Sequence, residues 1–165
     1  MKFIHIADIH ASRERLPQTL HILSTLTERA KEGDINFILF AGDFWDSTIT
    51  ATKGSGFSDI IQAVRELEKH TYLYFIYGTP THEPSGSLDA FRSEKTTVID
   101  RRSQISSGKP ECRFFFIPEP RRSEYITASI KETDEHINKR ISDYIKRGFS
   151  LPVLGNSNKE PPLVV

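Results

Sequence analysis

Phe37-Ile38-Leu39-Phe40-Ala41-Gly42-Asp43-Phe44-Trp45-Asp46 is an apolar run of strand length that stops abruptly on a glycine and a carboxylate. A continuous apolar run suits a strand buried on both faces of an α/β sheet. Glycine lets the backbone turn sharply at its end. Asp43 is thereby placed at the carboxyl edge of the sheet, where open α/β folds keep their chemistry. Turns use Gly-Asp constantly, so the reading depends on how the neighbouring strands end.

They end in the same way. Residues 2–7 alternate and are rich in β-formers, which predicts a buried strand with His5 packed in the core. Asp8-Ile9-His10 follows at once. In an extended segment residues i and i+2 share a face, so Asp8 and His10 project together. From Pro17 to Glu32, Leu20, Leu23, Leu26 and Ala30 recur at helical spacing, with Pro17 suited to the first turn and Gly33 to the stop. The resulting β-α-β unit has a right-handed crossover and parallel strands. Asp8 and Asp43 then share one sheet edge.

The stretch from Asp46 to Gly56 is polar and reads as a loop beside that edge. Phe57, Ile60, Ile61, Val64 and Leu67 fit a second amphipathic helix, running to about His70, with Ser58 as its N-cap. Thr71 to Tyr77 is a third, central strand, followed by Gly78-Thr79-Pro80-Thr81-His82-Glu83. Three successive strands thus end in ligand-type residues: Asp8 and His10, Asp43 with Asp46, and His82 with Glu83. We expect them to share a site.

Downstream the pattern thins. Leu88-Asp89-Ala90-Phe91 suggests a short helical turn, Thr96 to Ile99 a short strand, and Asp100 to Pro110 a loop or hairpin. Arg113 to Ile117 is a further strand closed by Pro118-Glu119-Pro120, and residues 134–147 form a third amphipathic helix. The last residues, Pro161-Pro162-Leu163-Val164-Val165, begin a strand as the sequence stops, which we read as the mark of a fragment.

Bulk properties narrow the class. The 165 residues are 37% hydrophobic and 27% charged, as expected of one soluble globular domain. Twenty-two basic and 22 acidic residues give zero formal charge, so contact with a polyanion would rest on local patches. Arg101, Arg102, Lys109, Arg113, Arg121 and Arg122 are the one basic concentration, either positioning contacts for DNA phosphates or a solvated surface. A single cysteine, Cys112, rules out an internal disulfide framework. No run reaches the roughly 20 apolar residues of a membrane span, and the first residues meet a charge too soon for a signal peptide. A cytoplasmic location without membrane contact is the expectation.

Two carboxylates and two histidines form an oxygen and nitrogen ligand set without thiolate, suited to Mn²⁺, Fe²⁺ or Zn²⁺. A carboxylate between two ligand groups can bridge a metal pair of the kind that hydrolyses phosphate esters, and a histidine outside the ligand set can protonate the leaving oxygen. A single metal fits the same residues. Phe44 and Trp45 beside the site either shape a pocket wall, stack on a base, or pack beneath the loop.

The order Asp8-x-His10, Gly42-Asp43-x-x-Asp46 and a glycine-led His82-Glu83 resembles the calcineurin-like metallophosphoesterases. The form Gly-Asp-Phe-Trp-Asp-Ser, with Ile-Pro-Glu-Pro after a later strand, is most similar to the DNA repair exonucleases of the SbcD type. The resemblance implies the α/β N-terminal half of a four-layer αββα sandwich. Its mostly parallel sheet would carry helices on the outer face, and its inner face would await a second sheet. It also implies two divalent metals, Mn²⁺ foremost, with Asp8 and His10 on the first metal and Asp43 bridging both. His82 would be the catalytic histidine and Glu83 its orienting acid. DNA, an SbcC-like ATPase subunit and a second copy of the chain would be the partners.

The sequence departs from that pattern in two places. The family's third motif reads Gly-Asn-His-Asp, whereas this chain is two residues longer there and lacks the asparagine, a ligand of the second metal. Thr81 or a water would replace it, or the second metal would bind weakly. The later His-Gly and Gly-His-x-His motifs do not occur, and beyond His82 the only histidine is His136. The expectation is a truncated nuclease domain over residues 1–165 with weak activity at best. A phosphoesterase acting on a small substrate and a non-catalytic domain that kept the fold are the alternatives.

Overall fold

A computed structural model describes residues 1–47, 56–101, 103–107, 112–116, 118, 138–143, 146 and 163–164. The chain forms two compact units, Met1–Asp100 and Arg101–Val165. The first contains β1 (Phe3–Ile6), α1 (Leu16–Lys31), β2 (Phe37–Ala41), α2 (Phe57–Glu68), β3 (Tyr72–Ile76), a 3₁₀ turn (Asp89–Phe91) and β4 (Thr96–Ile99). The four strands make one parallel sheet in the order β1-β2-β3-β4. It is the α/β architecture expected of the N-terminal part of a calcineurin-like fold.

Strand order equal to chain order has a consequence. Every crossover moves the same way along the sheet, and because such crossovers are right-handed as a rule, α1 and α2 fall on one face, where they pack against each other. Leu23, Leu26 and Ala30 of α1 and Ile60, Val64 and Leu67 of α2 join Ile38, Phe40, Leu73 and Phe75 in a single core. The two helices are short of strong caps. Gly56, in a left-handed conformation, precedes α2, and Ser58, expected to cap it, lies within its first turn. Tertiary packing of the apolar stripe holds such helices, as it does for most helices of this length.

The other face of the sheet carries Phe3 and His5 of β1 and Tyr72 of β3. Phe3 is 44% and Tyr72 51% exposed, and His5 is exposed rather than packed in the core. The expectation of a buried first strand is corrected here. β1 is an edge strand, and its alternation places Ile4 and Ile6 toward the helices and His5 away from them.

In the second unit, β5 (Ser103–Ser107) and β6 (Cys112–Phe116) form an antiparallel hairpin. Leu163–Val164 (β7) pairs antiparallel with β5 along its other edge. Residues 138–143 are helical, inside the helix expected over 134–147. Residue 146 is helical too, while 134–137, 144–145 and 147 of that stretch, with His136 among them, and Arg102, Lys109 and residues 119–122 lie outside the described residues. Among the described residues no helix is long and apolar enough to cross a membrane.

Candidate metal centre

The residues that follow β1, β2 and β3 continue the sheet as a laced set of loops. Asp8 N–H donates to the Gly42 carbonyl (3.2 Å), His10 N–H to Asp43 (3.0 Å) and Ala11 N–H to Phe44 (2.7 Å). Asp46 N–H returns a bond to the Ala11 carbonyl (3.1 Å). The β2 loop also touches the β3 loop. Gly42 sits at φ 89°, and a Cβ there would stand 2.9 Å from the Gly78 Cα. Only glycine permits both that conformation and that approach.

Three non-glycine residues have positive φ among the described residues: Asp8 (55°), His10 (48°) and Asp43 (49°). They are the three residues expected to bind metal. Asp and His are among the side chains that enter the left-handed region more readily than most, but clustered strain of this kind collects at functional sites. The geometry also changes the reason these residues meet. Asp8 and His10 do not share a face of an extended strand; each turns the chain through a left-handed step.

The turns bring two groups of ligand atoms together. One atom each from Asp8, His10 and Asp43 lie within 4.8 Å of one another, and so do one each from His10, Asp46 and His82. His10 belongs to both. Its ring lies edge-on to that of His82, with centroids 4.9 Å apart. Asp46 is one of the ligand-type residues expected at this edge, though the family resemblance gives it no metal role of its own. The Gly-Asp-x-x-Asp spacing was the available signal, since a chain turning after Asp43 can return a carboxylate three residues on.

His82 Nδ1 is hydrogen-bonded to the Asp46 carbonyl. A carbonyl only accepts, so Nδ1 carries the proton and Nε2 is the nitrogen left to face a ligand or a leaving group. The resemblance assigned the orienting role to Glu83, and here the structure corrects it. Glu83 is fully buried. Its Oε1 accepts from Phe44 N–H and its Oε2 from Gly78 N–H, both at 2.6 Å. Burial pushes its carboxyl above the usual range, against the pull of these donors and of the Trp45 N–H. Glu83 therefore clamps the β2 loop to the β3 loop, and the carbonyl of Asp46 orients the histidine.

Beneath the site lies an aromatic block. Phe44 is 2% and Trp45 0% exposed, so they pack under the loop and present no face to a base. Trp45 stacks on Phe57 and Phe91, and Phe75 stacks on Phe40 and Phe91. The Trp45 indole N–H donates to the Ser87 carbonyl (3.2 Å). The Tyr77 hydroxyl accepts from Gly86 N–H (3.0 Å) and Leu88 N–H (3.4 Å). Arg65 of α2 donates to the carbonyls of Ala90, Phe91 and Arg92. The chain that leaves His82 is thus pinned at several points.

The donor set fits a divalent cation. His10 Nδ1 is buried and has no hydrogen-bond partner, and its nearest charged neighbour is Asp46 Oδ1 at 3.8 Å. Buried nitrogens are rarely left so, and a missing ion is one reason for it. Oxygen and imidazole ligands without thiolate match a catalytic metal rather than a structural zinc. The family description of calcineurin-like phosphoesterases matches residues 1–98, more than half of the chain. The chain belongs to that family. The matched span holds Asp8, His10, Asp43, Asp46 and His82, and it ends within β4. The family's chemistry is metal-dependent hydrolysis of phosphoesters. Compared with curated proteins one by one, the chain matches none.

Proposed function

We propose that this phosphoesterase is a phosphodiesterase of the SbcD exonuclease type, acting on DNA ends. The observation that carries the hydrolytic part is the pair of ligand groups hinged on His10 at one sheet edge. Asp8, His10 and Asp43 would hold one divalent ion, and Asp46 and His10 would border a second. Bound there, a metal supplies charge to polarise a phosphoryl oxygen and to lower the pKa of a water. His82 is held through Nδ1, which leaves Nε2 free, and in the doubly protonated form that nitrogen could deliver a proton to a leaving oxygen.

The nucleic-acid part rests on the Gly42-Asp43-Phe44-Trp45-Asp46-Ser47 form and on Ile117-Pro118-Glu119-Pro120. Mn²⁺ is the metal of this reading, an ATPase subunit and a second copy of the chain its partners, and the cytoplasm its location. Buried Phe44 and Trp45 give no stacking platform, so base contacts would have to come from elsewhere. The absence of His-Gly and Gly-His-x-His motifs from the sequence favours weak turnover by this chain.

The test compares Mn²⁺-dependent cleavage of linear duplex DNA with that of a cyclic nucleotide, alongside Mn²⁺ binding by calorimetry. The reading expects Mn²⁺ binding that D43N abolishes, and slow cleavage of duplex DNA that H82A removes. Cleavage of the cyclic nucleotide alone would reassign the substrate. No Mn²⁺ binding would overturn the hydrolytic reading itself.

A further inference from the structure

The sequence gives no special place to Thr79, yet it makes the closest contacts to the central carboxylate. Asp43 Oδ1 accepts both the Thr79 N–H at 2.7 Å and the Thr79 hydroxyl at 2.8 Å. The same oxygen lies against Gly78, where a Cβ would stand 2.3 Å from it. Two donors and a close backbone already engage Oδ1. Thr79 is itself fixed, because its carbonyl accepts from His82 N–H (3.0 Å) and Glu83 N–H (2.8 Å).

We propose that Thr79 is a positioning residue that selects which oxygen of Asp43 meets the metal. By occupying Oδ1 it fixes the carboxylate about its Cβ–Cγ bond and leaves Oδ2 as the single ligating oxygen. Partners of this kind hold ligands in place and are commonly worth 10- to 100-fold in metal affinity. The hydroxyl is the separable half of the clamp, since the backbone N–H survives any substitution except proline. This inference rests on the metal-site reading given under the proposed function.

The experiment measures Mn²⁺ affinity of the full 165-residue chain by calorimetry for wild type, T79V and T79S, with thermal midpoints in EDTA. T79V should bind about 10-fold more weakly with its EDTA midpoint little changed, and T79S should recover wild-type affinity. Should T79V fail to fold, T79A carries the same comparison. Equal affinity in wild type and T79V, or T79S as weak as T79V, overturns the inference. If wild type binds no Mn²⁺, the functional reading falls, and crystal structures of the metal-free wild type and T79V decide the clamp by themselves. An Asp43 carboxylate turned in T79V upholds it, and an unchanged one overturns it.

Discussion

Replacing Glu83 by glutamine is the sharpest probe of how the loops are held. The side chain keeps its volume, so packing against the aromatic block is preserved and the chemistry alone changes. In the wild type both carboxylate oxygens accept a buried N–H at 2.6 Å. Hydrogen bonds to a charged group contribute about 1.5–3 kcal/mol each, and neutral ones about 1. Glutamine retains one acceptor and sets an NH₂ against the other N–H. That leaves a buried donor unpaired, at about 1–3 kcal/mol, and weakens the surviving bond. Against this stands the cost of burying a carboxylate, visible in its raised pKa. The net expectation is a loss of about 1–3 kcal/mol, the balance of the charged bonds lost and the buried charge removed. For a chain of this size that lowers the thermal midpoint by about 2–4 °C per kcal/mol. Differential scanning calorimetry at neutral pH in EDTA reads it without metal. A midpoint equal to or above wild type would mean that charge burial outweighs the clamp, and the bracing argument would fail.

Further consequences can be checked separately. G78A drives a Cβ to 2.3 Å from the Asp43 backbone N and carboxylate, and should cost about 1–3 kcal/mol in a urea titration while weakening Mn²⁺ binding. Y77F removes the acceptor shared by Gly86 and Leu88, and should cost about 1 kcal/mol with faster amide exchange in that loop. D8G and D8A both lose a ligand, but at φ 55° the glycine variant should be the more stable by about 1–2 kcal/mol. Burial opposes ionisation of Glu68, yet the hydroxyls of Ser93 and Thr96 and the nearby Arg65 hold its carboxyl below the usual glutamate range. Its stabilisation is therefore present above the unfolded value of about 4.3 and is lost as pH falls through the lower folded value. E68Q should accordingly be less stable than wild type at pH 7, with the two urea midpoints converging on acidification below that value.

The sequence made the frame legible because periodicity reports burial. The alternation of strand-length apolar runs with stripes at 3.6 spacing gave three parallel strands, both helices and the shared edge. It misjudged β1 because alternation fixes which residues share a face, not whether that face is covered. His5 thus came out exposed. That these residues meet at one edge was legible from their place after each strand, but not the means by which they converge. Left-handed turns at Asp8, His10 and Asp43 leave no periodic trace. The orienting role of Glu83 came from the family resemblance, whereas only the fold shows that its oxygens meet the Phe44 and Gly78 N–H groups. Thr79 passed unnoticed because a threonine after a glycine is ordinary until the carboxylate beside it is known.

The backbone strain and the hydrogen bonding of the site belong to one argument. A strained residue costs on the order of 1 kcal/mol at the low end of the usual range, so Asp8, His10 and Asp43 together cost about 3 kcal/mol. The loop bonds from Asp8, His10, Ala11 and Asp46 and the two from Glu83 contribute on the order of 1 kcal/mol each. The bonds offset strain of this order without any contribution from a metal. A site assembled in this way is formed before a cation arrives, so binding need not pay for folding the loops. The clamp is buried, whereas Asp8 and Asp46 remain exposed. The residues that hold the shape are removed from water, and the carboxylates that would hold an ion stay open to it.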